Sequence, residues 1–261
     1  MSDEQRAELL RVQASSIHSP IDLTQVKMLS SGACQFELTD KPGKTFQEFE
    51  GMILHAHPSN VLWDKPYGTA PDPNNKLSSL PACSSNDDEY GIPREGFAHE
   101  GLPAGQVGDG ILKVACGTCP YNQWGTGHKL VASPNKSPRG KAVTNQRRIY
   151  IRLPDRLAPV VLVAPPTSVP AFDEWANGLL DQLIPYQTKI VKFSQHRAGP
   201  AHNPYAVLDF SIVRDAEPEE FQAAMAQRER YRTTLFPPAP VTAQVVEAEP
   251  GEAAEDDDIP W

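Results

Sequence analysis

The sequence predicts a mainly β protein with peripheral helices, an α+β arrangement, and three observations lead there. Pro accounts for 26 of 261 residues and hydrophobic residues for only 39%, a composition too broken for a compact all-helical body. Short runs alternate with the period of a strand, most clearly in Arg147–Leu153, where Ile149, Ile151 and Leu153 share one face and Arg148, Tyr150 and Arg152 the other. Helical spacing is confined to three stretches. The length allows one full domain or two small ones.

Residues 3–14 place Ala7, Leu9, Leu10 and Ala14 among good helix formers, which predicts a short N-terminal helix. Gln25–Thr39 and Phe46–His57 read as two or three strands parted by the turn signals Ser31-Gly32 and Lys41-Pro42-Gly43. Residues 58–110 are rich in Pro, Gly, Ser, Asn and Asp, and a stretch that long without pattern is functional or disordered. Strands are expected again at Ile111–Ala115, Arg147–Leu153 and Pro159–Val163. Residues 168–184 open on Ser168, carry Pro170 in the first turn and align Phe172, Trp175, Leu179 and Leu183, as an amphipathic helix does. Lys189–Gln195 and Ala206–Val213 read as strands. Residues 217–235 form a helix with Pro218, Glu219 and Glu220 at the positive end of its dipole and Arg228, Arg230 and Arg232 toward the negative end.

The longest apolar run, Val160–Ala164, is far shorter than the ~20 residues that span a bilayer. The start MSDEQRAELL lacks the basic and apolar regions of a secretion signal, so a cytoplasmic protein is expected. In a reducing compartment, the four cysteines Cys34, Cys83, Cys116 and Cys119 point to metal binding or inert thiols before disulfides. Cys116-Gly117-Thr118-Cys119 is a CxxC following a predicted strand, and Cys83 lies in the turn-like segment Pro81–Ser85. Two thiolates on a tight turn and one from a distant loop supply three ligands of a structural zinc, which takes four. His99 and His128 are candidates for the fourth, with His55 and His57 behind them. Cys34 sits in an alternating run and reads as a small core residue. A zinc loop, metal-free thiols and a redox CxxC all remain open.

The net charge of −9 hides a strong asymmetry. Between Lys113 and Arg156 lie nine basic residues, Lys113, Lys129, Lys136, Arg139, Lys141, Arg147, Arg148, Arg152 and Arg156, against the single acid Asp155. Tyr121, Trp124 and Tyr150 are interleaved with them. Cations that track phosphates and aromatic faces that stack bases are what a single strand requires, whatever its sequence. The expected contacts are Lys113, Tyr121, Trp124, Lys129, Lys141, Arg147, Arg148, Tyr150 and Arg152. Trp63 and Tyr67 are secondary candidates and read better as packing. Asp87-Asp88-Glu89 does not converge as a metal nuclease site would, and Gly105–Gly110 lacks the spacing of a nucleotide loop. No catalytic constellation is present, so the expectation is a non-enzyme.

The last fifteen residues, EAEPGEAAEDDDIPW, hold seven acids and no base, a composition that stays disordered. They end on an apolar plug, Ile259-Pro260-Trp261, suited to a small apolar pocket ringed by basic groups. Asp256, Asp257, Asp258, Ile259, Pro260 and Trp261 together resemble the acidic C-terminal tip of bacterial single-stranded DNA-binding proteins, which typically ends Asp-Asp-Asp-Ile-Pro-Phe. The resemblance implies a tip that recruits replication and repair proteins, and Trp in place of Phe keeps an aromatic plug. The cysteine region is similar to an uncharacterised family of phage and mobile-element proteins with a pattern like Cys…CxxCPxNxxG…KxCxxxRRxY. Here the pattern runs through Cys83, Cys116, Cys119, Pro120, Asn122, Gly125, Lys141, Arg147, Arg148 and Tyr150, with Val143 where that family has its fourth Cys.

These resemblances imply an oligonucleotide-binding (OB)-like barrel over residues 1–235, with a Cys-containing insertion at about 58–146, followed by a disordered tail at 236–261. The implied function is non-catalytic, sequence-neutral binding of single-stranded DNA in replication, recombination and repair. The partners are single-stranded DNA and repair proteins, with no membrane and with self-association among the expectations. A zinc-ribbon adaptor of the transcription-factor type and a strand-annealing protein are the alternatives.

Overall fold

The computed structural model describes residues 23–29, 34–64, 81–85, 88–94, 97, 113–127, 140–201, 204–235 and 245–246. The expected N-terminal helix, His99, His128, Lys129 and the Asp256–Trp261 tip lie outside these residues. The chain divides into two compact units, Met1–His55 with Ile149–Val163 and Ala171–Pro237, and Ala56–Arg148 with Ala164–Pro170 and Pro238–Trp261.

The first unit is built on strands. β1 (Gln25–Met28) pairs antiparallel with β2 (Phe36–Leu38), and β2 with β3 (Thr45–Phe46). Gly43 takes a φ of 82° in the turn before β3, the left-handed backbone that the Lys41-Pro42-Gly43 signal anticipates. β4 (Phe49–Leu62) and β8 (Thr144–Arg152) each give a segment to both units. The strand order here is β4-β8-β9-β1-β2-β3, with β9 (Val160–Ala164) parallel to β1. On its other side β4 pairs antiparallel with β10 (Lys189–Ala198), Gly51 opposite Val191, and β10 forms a long hairpin with β11 (Tyr205–Asp215).

The mainly β class with peripheral helices is what the structure has. A closed barrel is not: among the described residues β11 pairs only with β10 and the path does not return on itself. The reason is that β1 lies on the free side of β9, so that the last strand finds no partner there.

Among the described residues two long helices and one short one belong to this part of the chain. α1 (Val169–Asp181) turns Phe172 inward, with its ring 5.4 Å from Phe210. α2 (Pro218–Arg230) is followed by the short α3 (Arg232–Leu235). α2 starts with a reciprocal capping box between Glu217 and Glu220 and has Pro218 in its first turn. The Arg214 guanidinium bonded to Glu220 holds that carboxyl down to about 2. The core joins Leu23, Met52, Leu54, Tyr150, Val161, Ile190, Ala224 and Leu235. Burial of apolar surface at about 25 cal/mol per Å² is what pins these elements together.

Gly51 of β4 lies tight against β8. A Cβ there would stand 2.6 Å from Ile151 Cγ2 and 2.8 Å from the Arg152 carbonyl oxygen. A backbone carbonyl cannot swing aside, so Gly51→Ala is expected to destabilise the protein by about 1–3 kcal/mol. A denaturation midpoint equal to that of the parent protein would contradict this close approach.

The second unit carries the order β12-β7-β6-β5-β4. β5 (Cys83–Ser85) and β6 (Tyr90–Pro93) are two strands inside the segment expected to lack pattern, and at three and four residues they are too short to give a period to read. β7 (Lys113–Ala115) pairs antiparallel with β6. β12 (Val245–Val246) pairs parallel with β7, although it falls within the segment expected to be disordered. Two adjacent β-branched residues supply the strand preference there. The unit's core joins Leu62, Ala82, Phe97, Val114, Cys119, Tyr121 and Ala142.

Candidate functional site

The β5–β6–β7 ladder carries the cysteines toward one another. Cys83 begins β5, opposite Leu62 of β4 and Pro93 of β6. Cys116 follows β7 and donates its backbone N–H to the Glu89 carbonyl at 2.7 Å. The CxxC turn then brings back Cys119. All three thiols line a single cavity of about 20 Å³, together with Asn60, Leu62, Ser85, Gly91, Val114, Asn122 and Val143. That is room for about one water or one ion.

Gly91 makes the cavity possible. A Cβ at this position would fall 2.7 Å from Cys83 Sγ and 3.7 Å from Cys116 Sγ, filling the space the sulfurs share. Burial, with Cys119 and Cys116 beside it, pushes the Cys83 thiol up to about 12. Burial also raises Cys116, against hydrogen bonds from Ser85 and Asn60, and raises Cys119, against the backbone N–H of Asn122. Metal-free, the three are neutral thiols at neutral pH, which argues against a reactive redox CxxC.

Soft sulfur donors suit a thiophilic metal ion, but the cavity holds no fourth Cys, His, Asp or Glu, and Val143 is among its lining residues. Among the described residues no group of three or more His, Cys, Asp or Glu is already set to hold an ion. The thiols share a cavity without forming a finished cage. Cys34 belongs to the first unit and is not among the residues lining this cavity; it has a positive φ of 48°.

The CxxC turn runs directly into an exposed tryptophan. Asn122 donates its side-chain N–H to the Cys116 carbonyl at 2.9 Å and Gln123 donates to that of Gly117 at 3.0 Å. The Thr126 hydroxyl bonds the carbonyls of Gln123 and Tyr121 at 2.7 and 3.0 Å. Tyr121 O accepts from the backbone N–H groups of Ala142 and Val143, both at 3.1 Å, so the turn is stitched to the start of β8. Gly125, at a φ of 88°, gives the reversal. On this frame Trp124 is 78% exposed, with Lys141 Nζ 5.7 Å from its ring centre and 3.4 Å from Asn122 Oδ1.

The other expected contacts are placed differently. Tyr121 is 2% exposed and anchors the second core, while Tyr150 is 5% exposed and anchors the first. As placed, neither ring offers a face to a base. The alternation around Tyr150 does not separate a wet face from a dry one, because Ile149, Tyr150 and Ile151 are all buried where β8 is covered on both sides. Lys113 is only 7% exposed and stands 5.4 Å over the Tyr90 ring. Lys141, Arg147, Arg148 and Arg152 are half-buried. Arg148 and Arg152 fall in different units.

Sequence reasoning passed over Gly91, Asn60 and Ser85. An isolated Gly between Tyr90 and Ile92 is the signal of a close approach inside a strand. Asn60 and Ser85 carry no comparable signal, because only strand pairing brings them together. No protein-family model, curated protein or solved structure matches the chain significantly.

Proposed function

We propose that this chain binds single-stranded DNA without sequence preference and without catalysis, and that its Asp256–Trp261 tip recruits replication or repair proteins. The observation that carries the reading is Trp124, an exposed indole held on a hydrogen-bonded turn with a lysine beside its ring. Removing so large an apolar face from solvent is favourable, and base stacking does so for every base.

The chain order of the first unit supports the same reading. Strands β4, β8 and β9, then helix α1, then the hairpin β10–β11 with β10 returning antiparallel to β4, follow the sequence of elements of an OB fold, left open between β9 and β11. OB folds are partly open barrels that bind oligonucleotides with the loop between strands 1 and 2 and the loop between strands 4 and 5. In that correspondence the first loop is the β4–β8 connection, which contains Trp124 and Lys141.

The test is fluorescence anisotropy with labelled oligo-dT at several salt concentrations, against a duplex of equal length. Single strands are expected to bind more tightly. If the site engages roughly three to five phosphates, log K should fall with log salt at a slope of about −2 to −3.5. Deleting Asp256–Trp261 should leave DNA affinity equal or slightly higher while removing partner capture. Equal affinity for duplex, or binding to neither, rules the reading out.

A further inference from the structure

The walls of the thiol cavity say which ions it suits. Cys83, Cys116 and Cys119 line it together with Val143, Leu62 and Val114, whose side chains carry no donor atom, and with Asn60, Ser85 and Asn122, whose polar groups are already engaged in hydrogen bonds to Cys116 and Lys141. Asn60 and Ser85 hydrogen-bond Cys116. Both are held in turn by Asp88, which accepts from Asn60 Nδ2 and donates its backbone N–H to Ser85 Oγ at 3.0 Å. Gly91 keeps the space between Cys83 and Cys116 clear.

We propose that these three cysteines bind one soft divalent cation through three thiolates with no fourth protein ligand, so that the site favours ions stable in trigonal sulfur coordination, such as Cd2+, over tetrahedral Zn2+. Binding replaces three S–H bonds by three S–metal bonds and releases three protons to solvent, leaving a single negative charge on the centre. The oriented donors of Asn60 and Ser85 offset that charge at Cys116, as outer hydrogen bonds do around metal ligands. Structural zinc is almost always four-coordinate, and the lining holds no fourth Cys, His, Asp or Glu to complete that shell. Because the thiols line the cavity without forming a finished cage, binding draws the three side chains inward by rotation about χ1. This inference does not depend on DNA binding.

The experiment titrates the full, reduced, chelator-treated chain with Cd2+ and follows the ultraviolet thiolate-to-metal absorption. One ion per chain is expected. The signal should be lost in Cys83→Ser, Cys116→Ser and Cys119→Ser, and unchanged in Cys34→Ser, His99→Ala and His128→Ala. Val143→Cys should raise Zn2+ affinity at least tenfold more than it raises Cd2+ affinity. X-ray absorption on the wild-type complex, which needs no variant to fold, should give three sulfur neighbours. No Cd2+ binding, a loss in either His variant, four ligands by X-ray absorption, or no selective zinc gain in Val143→Cys would each overturn the proposal.

Discussion

Trp124→Ala is expected to weaken binding to oligo-dT by about 1–3 kcal/mol, roughly 5- to 150-fold, the value of one base stacked on an aromatic ring. The side chain is 78% exposed and belongs to neither core, so its removal should leave the unfolding midpoint unchanged and the loss can be read as an interface effect. Trp124→Phe should retain most of the affinity, because a smaller π-face still stacks. Lys141→Glu should weaken binding as well, with an effect that fades as salt rises and screens the charge. Anisotropy of a labelled oligonucleotide separates the two variants: the tryptophan effect persists at high salt and the lysine effect does not. Wild-type affinity in Trp124→Ala would move the interface away from the CxxC turn.

Phe193→Ala is expected to cost about 3–5 kcal/mol, against a typical total stability of about 5–15 kcal/mol for a folded domain. The ring is fully buried on β10, stacked on Phe49 at 4.8 Å and meeting Phe210 edge-on at 5.7 Å. Phe49 continues to Phe36 at 5.1 Å, and Phe210 to Phe172 at 5.4 Å. The row therefore runs from β2 across β4, β10 and β11 to α1. Removing its middle member leaves a void that four flanking elements cannot all close. A shift of the denaturation midpoint worth less than about 1 kcal/mol would mean that the row does not hold the first unit together.

The local elements were legible because each carries its own signal. The helix expected over residues 168–184 is found as Val169–Asp181, and the strand expected at Arg147–Leu153 as Thr144–Arg152. The pattern resemblance that sets Val143 at the position of a fourth Cys picked a residue that lines the cavity of the three thiols. What stayed hidden rests on partners distant in the chain. β5 and β6 have three and four residues and are strands because they pair with β4, β7 and each other. Period-2 alternation gave Tyr150 a face of its own, but alternation reports direction only, and both directions from β8 lead into packed residues.

Composition and spacing by themselves determined the β-rich class, the separation of a basic segment from an acidic end, and the grouping of the three cysteines that line one cavity. Those are local or additive properties, written in neighbouring residues and in sums of charge. The tertiary structure decided which of the candidate aromatic rings meets solvent, that Val143 lines the thiol cavity, and that β1 pairs with β9 while the sheet stays open. Each of these depends on what lies on the far side of a strand or a cavity, and packing between distant segments supplies that answer.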